Sequence, residues 1–400
     1  MTTEASTLVE FVILADDSAA WEVAGLPQLD RLVLVLNEFA EASGSQVMID
    51  AVIFWRPEIP SAARWLPRHA KIKRVRLTES LASLQPGMRV LNTRLFVGRN
   101  DLGEFLQTAP VVTLEEPMTE PSILWPRLFE KFQTSHAFRA KTGQEWRLLE
   151  NQADIDKCAG RLLRHAGKSQ DGLVSRFLNR PISRRITRFL LKFPIHPSAW
   201  TISIFVLPLI ASVFLVRGDY LSVLLGAAIF QVFSILDGCD GEIARAMNLE
   251  SKFGERLDYF SDFIASLLYV LALGLGLHRS SEGIVCAVLI TANELLLRAG
   301  KSHTAVAPST LHESFYARHH GMIGHSGLLH LGERFVWWLF QLTKRDMALV
   351  VFLMLALLGL APWILHLWVT VAGASLVLSA FAVIRGSSAR GDIVTQKPRS

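Results

Sequence analysis

The rhythm of hydrophobic positions changes near residue 195. Before it, apolar residues come in short bursts: FVILA (11–15), VMIDAVIFW (47–55), KRVRL (73–77), MRVLNTRLFV (88–97) and PVVTL (110–114). Bursts of this length read as buried strands, and helical stretches such as 27–41 lie between some of them, an α/β sheet pattern. After residue 195 the apolar runs lengthen to 199–216, 220–237, 259–277, 283–299, 346–361 and 363–384. Each approaches the ~20 residues needed to cross a bilayer. The expected organisation is a cytoplasmic α/β domain over 1–165, a linker over 166–195, an all-α six-helix transmembrane domain over 196–385 and a cytoplasmic tail over 386–400.

Charge orients these spans. Basic residues crowd the approach to the first span (Arg176 to Lys192), the turn after the second (Arg245, Lys252, Arg256), the loop after the fourth (Lys301 to Arg345) and the tail. The other three connections are nearly bare, with Arg217 and Arg279 as exceptions. Positive charge stays on the cytoplasmic side. The expectation is a multi-pass protein of the cell (inner) membrane with both termini cytoplasmic. No basic, early-apolar signal opens the chain, so the first half should remain in the cytoplasm. The pattern accounts for the net charge of +5, and no nucleic-acid partner is expected. Cys158, Cys239 and Cys286 have no paired or metal-type spacing, so a disulfide framework is not expected. The basic stretch 175–193 is amphipathic: Phe177, Ile182, Ile186, Phe189, Leu190 and Phe193 can share a face. It reads as a helix lying in the interface against membrane lipids.

Within this apolar half, four aspartates stand out in LDGCDGEIARAMNLESKFGERLDYFSDFIAS (236–266). A charged residue at a span centre costs roughly 2.5–3.5 kcal/mol on insertion scales. Asp237, Asp240, Gly241 and Ala244 fall at i, i+3, i+4 and i+7, on one helix face. Asp258 and Asp262 fall at i and i+4 on a second helix, with Gly254 one turn earlier. Carboxylates this close repel unless cations lie between them, and oxygen donors suit Mg²⁺ or Mn²⁺. Arg245 could reach a phosphate. Spacing alone also allows a solvated helix end in which the acids pair with Arg245, Lys252 and Arg256.

The stretch Asp-x2-Asp-Gly-x2-Ala-Arg-x8-Gly-x3-Asp-x3-Asp, from Asp237 to Asp262, resembles the signature of the CDP-alcohol phosphatidyltransferases in all eight fixed positions. The resemblance covers about 175–385. It implies a phosphotransferase in which an acceptor hydroxyl attacks the β-phosphate of a CDP-linked alcohol and CMP leaves. It implies two Mg²⁺ (or Mn²⁺) ions held by Asp237, Asp240, Asp258 and Asp262, with Asp262 also the base. Asp237, Gly241, Ala244, Arg245 and Gly254 match positions bordering CDP, and a homodimer is implied. The donor stays open between CDP-diacylglycerol, for phospholipid biosynthesis, and a CDP-polyol such as CDP-inositol; the acceptor is a small alcohol or polyol phosphate. One departure is Pro197-Ser198-x2-Thr201, where the family often has Pro-Asn-x2-Thr. A membrane scaffold lacking activity is the alternative of another class, and the intact signature argues against it. A transporter would spread its acids over several spans.

The first half resembles the sugar-phosphate nucleotidyltransferases, which are Rossmann-like and in some inositol-phosphate enzymes are fused to such a membrane domain. The likeness rests on 25–43 and 145–163. The phosphate loop is altered: ADDSAAWEVAG (15–25) has Asp16 and Asp17 in front and no glycine before Gly25. Asn92 and Thr93 stand where a metal-binding Asp is expected, and Glu150 stands at the second acidic position. The domain is expected to be inactive as an enzyme. The histidines at 312, 319, 320, 325 and 330 have no ligand spacing, and His366 reads as a packed or interface residue.

Overall fold

Four of the apolar bursts pair as one parallel sheet in the computed structural model, which describes residues 8–44, 47–99, 101–115, 120–137, 146–165, 172–302 and 344–395. The chain divides into two units, Met1–His165 and Ala166–Ser400. In the first, β1 (Leu8–Ala15), β4 (Met48–Trp55), β5 (Val75–Thr78) and β6 (Arg89–Asn92) lie in the order β5-β4-β1-β6. The register sets Phe11 beside Ala51 on one side and beside Arg89 on the other. Phe11 through Ala15 are all fully buried. Burial on both faces is why β1 is a continuous apolar run instead of an alternating one. Helix α1 (Gln28–Ser43) follows the hairpin β2–β3 (Glu22–Val23, Leu26–Pro27), and α2 (Leu102–Thr108), α3 (Pro121–Ala137) and α4 (Gln152–His165) come later in this unit. Its Asn37 accepts hydrogen bonds from the backbone N–H groups of Lys73 and Arg74, 2.8 Å each, which fixes the approach to β5.

Two expectations need correction in detail. The run 88–97 is not one strand: it breaks at Thr93–Arg94 into β6 and β7 (Leu95–Val97), and β7 pairs with β8 (Trp146–Leu148). The run 110–114 lies antiparallel beside β6 through Val90 N–H to Val112 O and Leu114 N–H to Met88 O, but forms a single bridge. Pro110 has no N–H to extend the ladder.

The second unit is helical: α5 (Arg180–Leu190), α6 (Pro197–Ile204), α7 (Val206–Arg217), α8 (Tyr220–Ala246), α9 (Lys252–Gly276), α10 (Ser280–Ser302), α11 (Arg345–Leu357) and α12 (Ala361–Thr395). Pro208 has no N–H for the carbonyl of Ile204, and the first run breaks at Phe205 into α6 and α7. Among the described residues, three helical segments are long and apolar enough to cross a membrane: Pro197–Arg217, Tyr220–Ala246 and Lys252–Gly276. The expected span 283–299 falls within α10, 346–361 covers most of α11 and the start of α12, and 363–384 falls within α12. Side chains such as Ile202, Val213, Leu221, Phe260 and Val288 point outward, a surface that water would disfavour and lipid chains would cover. The histidines at 312–330 lie outside the described residues. His366 pairs with Glu282 (3.5 Å) and lies 3.1 Å from Arg279.

The core of this unit is aromatic where α8, α9, α11 and α12 meet. Tyr269 lies 4.6 Å from Phe230 and 5.5 Å from Trp368, and Trp368 stacks on Phe352 at 4.9 Å. At one end, α7 and α9 approach backbone to backbone at Gly218 (φ +73°) and Gly276. A Cβ on Gly276 would overlap the carbonyl of Leu215, which cannot move away. Gly276→Ala is therefore expected to cost at least about 1–3 kcal/mol, seen as a lower thermal midpoint in detergent. An unchanged midpoint would mean the helices are not this close.

Candidate active site

The carboxylates are placed by the meeting of α8 and α9. Helix α8 stops after Ala246 because Asn248 takes a left-handed conformation (φ 54°) and Leu249 N–H closes back on Ala244 O at 2.8 Å, a turn that ends helices. Ser251 then caps α9, accepting from Gly254 N–H at 3.0 Å. This tight reversal lays the last turns of α8 against the first turns of α9. One carboxylate oxygen from each of Asp237, Asp240 and Asp258 lies within 4.8 Å of the others. At an effective dielectric near 20, each such pair repels by on the order of 3 kcal/mol.

Asp240 is buried and accepts from Thr201 Oγ1 at 2.5 Å. Trp200 Nε1 donates to Leu236 O at 3.0 Å, so α6 is fastened to α8 beside the cluster. A cavity of about 400 Å³ opens here, lined by Asp240, Gly241, Ala244, Arg245, Gly254 and Asp258, together with Ser198 and Thr201. Six of the eight signature positions thus share one cavity. Gly241 leaves room for the Arg245 guanidinium: a Cβ there would lie 3.0 Å from it. Ser198, the departure from the family pattern, borders the cavity 3.6 Å from where a Gly254 Cβ would sit.

Asp237 and Asp262 do not line this cavity. Asp237 belongs to the three-carboxylate group, whereas Asp262 forms an ion pair with Arg345, which also reaches Asp237 Oδ2 at 3.5 Å. Arg345 opens α11 and is 83 residues beyond Asp262 in the chain. Its sequence signal was only that of a basic loop residue. Glu242 also went unremarked as a site neighbour. Cys239 is fully buried and donates toward Ser183 O at 3.6 Å, facing α5 and not the carboxylates.

The donor set fits a hard divalent cation. It is three carboxylates from two helices, with no thiol or imidazole in the group.

In the first unit, the crevice of an open parallel sheet lies at the ends of β1 and β6, where the strand order reverses. Here it is occupied by the protein itself. Buried Asp16 receives two bonds from Arg94, both 2.9 Å, and Ser18 Oγ lies 2.6 Å from Thr93 Oγ1. The Arg94 guanidinium lies over the rings of Trp21 (5.7 Å) and Phe129 (5.2 Å). Nearby, burial pushes the Cys158 thiol up to about 11, so it is not a nucleophile at neutral pH.

The family described as CDP-alcohol phosphatidyltransferase matches residues 195–339. Proteins named "Bifunctional IPC transferase and DIPP synthase" are similar over part of their length. That of Aquifex aeolicus is 35% identical over 141 residues, 35% of this chain and 32% of the relative. That of Archaeoglobus fulgidus is 33% identical over 134 residues, 33% and 26% of the two chains. That of Rubrobacter xylanophilus is 38% identical over 134 residues, 34% and 30% of the two chains. The match thus spans between a quarter and a third of the curated relatives' length. The helices that carry the aspartate cluster lie within the residues that match the CDP-alcohol phosphatidyltransferase family.

Proposed function

We propose that the second unit is an integral-membrane phosphotransferase that moves a substituted phosphate from a CDP-linked donor to an acceptor alcohol, releasing CMP. The observation that carries this is the convergence of Asp237, Asp240 and Asp258 beside a cavity lined by Gly241, Ala244, Arg245 and Gly254. In this reading, Asp237, Asp240, Asp258 and Asp262 hold two Mg²⁺ (or Mn²⁺) ions. When bound, such ions neutralise the diphosphate and the leaving oxygen. Asp237, Gly241, Ala244, Arg245 and Gly254 hold the CDP group, the small residues admitting it and Arg245 meeting phosphate. Asp262 takes the proton of the acceptor hydroxyl as its oxygen bonds to the β-phosphorus and the bond to CMP breaks.

The positive charge on alternate connections supports a multi-pass placement in the cell membrane with the site and both termini cytoplasmic. The homodimer and the 1–165, 166–195, 196–385 and 386–400 division belong to the same reading. For the donor, the names of the relatives favour a CDP-polyol such as CDP-inositol, used in phosphodiester synthesis, over CDP-diacylglycerol. The Asp16–Arg94 pair in the sheet crevice supports an N-terminal domain without nucleotidyltransferase activity.

The test is Mg²⁺-dependent CMP release by the full chain in detergent, comparing CDP-inositol with CDP-diacylglycerol and offering small polyols and polyol phosphates as acceptors. Release from CDP-inositol, lost on chelation, is expected. Release from CDP-diacylglycerol alone would make this a phospholipid synthase. Release from neither would return the scaffold reading.

A further inference from the structure

The helix that precedes the first span is packed with its polar side inward. On α5 and the turn before it, Phe177, Phe189 and Phe193 are exposed, whereas Asn179, Arg180, Ser183 and Thr187 are buried. Leu190, expected on the apolar outer face, is also buried. What Arg180, Ser183 and Thr187 meet is Glu242 of α8, which is 0% exposed. Its Oε1 accepts from Arg180 Nη1 at 3.1 Å and Ser183 Oγ at 2.8 Å, and its Oε2 accepts from Thr187 Oγ1 at 2.7 Å. Arg180 Nη1 also donates to Gly238 O at 3.3 Å, and Gln231 Nε2 donates to Asn179 at 3.0 Å.

Glu242 sits on the far side of the helix from the aspartates. At 100° per residue it is about 140° around α8 from Asp237 and about 160° from Asp240. Rotation or sliding of α8 that displaced the aspartates would therefore tear Glu242 from its three donors. The same helical stretch also grips the other side of the cluster. Ser175 N–H donates to Asp346 at 2.6 Å, and Asp346 is the immediate neighbour of Arg345, which pairs with Asp237 and Asp262.

A buried ion pair is weak as a source of stability, since apolar residues of similar volume often serve as well or better. Its best-attested use is to fix one register among several. We infer that residues 175–190 act as a strut that sets the rotation of α8 and the distance to α11, making Arg180, Ser183, Thr187 and Glu242 positioning residues for the carboxylate site. This inference rests on the metal-site reading proposed above.

The test uses the full chain in detergent, with Mn²⁺ binding followed by the loss of the free-ion EPR signal, well below the unfolding temperature. The paired variant Arg180→Leu with Glu242→Leu removes both charges together, and Ser183 and Thr187 can turn to their own helix carbonyls. It is expected to unfold near the wild-type midpoint yet bind Mn²⁺ about 10–100-fold more weakly, as supporting-residue changes around metals do. A purely structural role would move the midpoint and leave the affinity of the folded protein unchanged. A folded double variant with wild-type affinity would overturn the strut while leaving the metal site standing. Should that variant fail to fold, Thr187→Val is read by the same affinity criterion, with several-fold weakening expected and wild-type affinity again overturning the strut. No Mn²⁺ binding by the wild type would overturn the metal-site reading and the strut with it.

Discussion

Asp240→Asn is expected to lower Mg²⁺-dependent CMP release by about 10³-fold or more while raising the thermal midpoint of the metal-free protein. The two effects have one cause. Asp237, Asp240 and Asp258 put like charges within 4.8 Å of one another. Removing one charge relieves two repulsions of on the order of 3 kcal/mol each before screening and relaxation. Asparagine keeps the shape, and its oxygen can still accept from Thr201, so α6 stays fastened to α8. The same change removes a hard anionic donor whose cation is proposed to stabilise developing charge by several kcal/mol, each 1.4 kcal/mol being about tenfold in rate. Activity and metal-free stability should therefore move in opposite directions. A variant that kept full turnover would remove Asp240 from the proposed ligand set. One that lost turnover together with stability would make Asp240 a structural residue.

Asp262→Asn is expected to reduce turnover by about 10²–10⁴-fold, the usual contribution of a positioned base, with the fold intact. Asp262 lies on α9 and pairs with Arg345. Asparagine cannot take the acceptor proton, but it fills the same volume and leaves Ser266 bonded to the unchanged backbone carbonyl at 2.9 Å. The reading requires loss in kcat with unaltered secondary structure by circular dichroism and little change in the thermal midpoint. Unchanged CMP release from the purified variant would sink the assignment of the base.

Local spacing made the carboxylate cluster legible. Asp237 and Asp240 share a face because they are three residues apart on a helix, and Gly241, Ala244 and Gly254 mark where bulk is absent. The strand bursts were legible for the same reason: β1 and β4 are apolar at nearly every position because both faces are covered. What escaped was long-range. Arg345 comes to Asp262 across 83 residues, and no periodicity announces that contact. Glu242 was hidden by its own motif, since it reads as one of the variable positions between fixed ones. The helix at 180–190 was recognised as amphipathic, but its buried side was misassigned at Leu190. In a membrane protein the apolar face turns outward to lipid, so the rule that places apolar residues inside works in reverse there. The break at Thr93–Arg94 escaped because both flanking pieces are apolar, and only the pairing of β7 with β8 separates them.

The inward polarity of α5 also decides where this polypeptide can be cut. The segment that matches the family begins at residue 195, and that is where an excised helical half would naturally be started. Such a fragment would lack Arg180, Ser183 and Thr187, the side chains that hydrogen-bond Glu242, and would uncover that carboxylate. The boundary marked by the family match and the boundary marked by burial are thus different lines. The helical unit begins at Ala166, upstream of α5, and the stretch between the two lines belongs to it, although it reads as a connector.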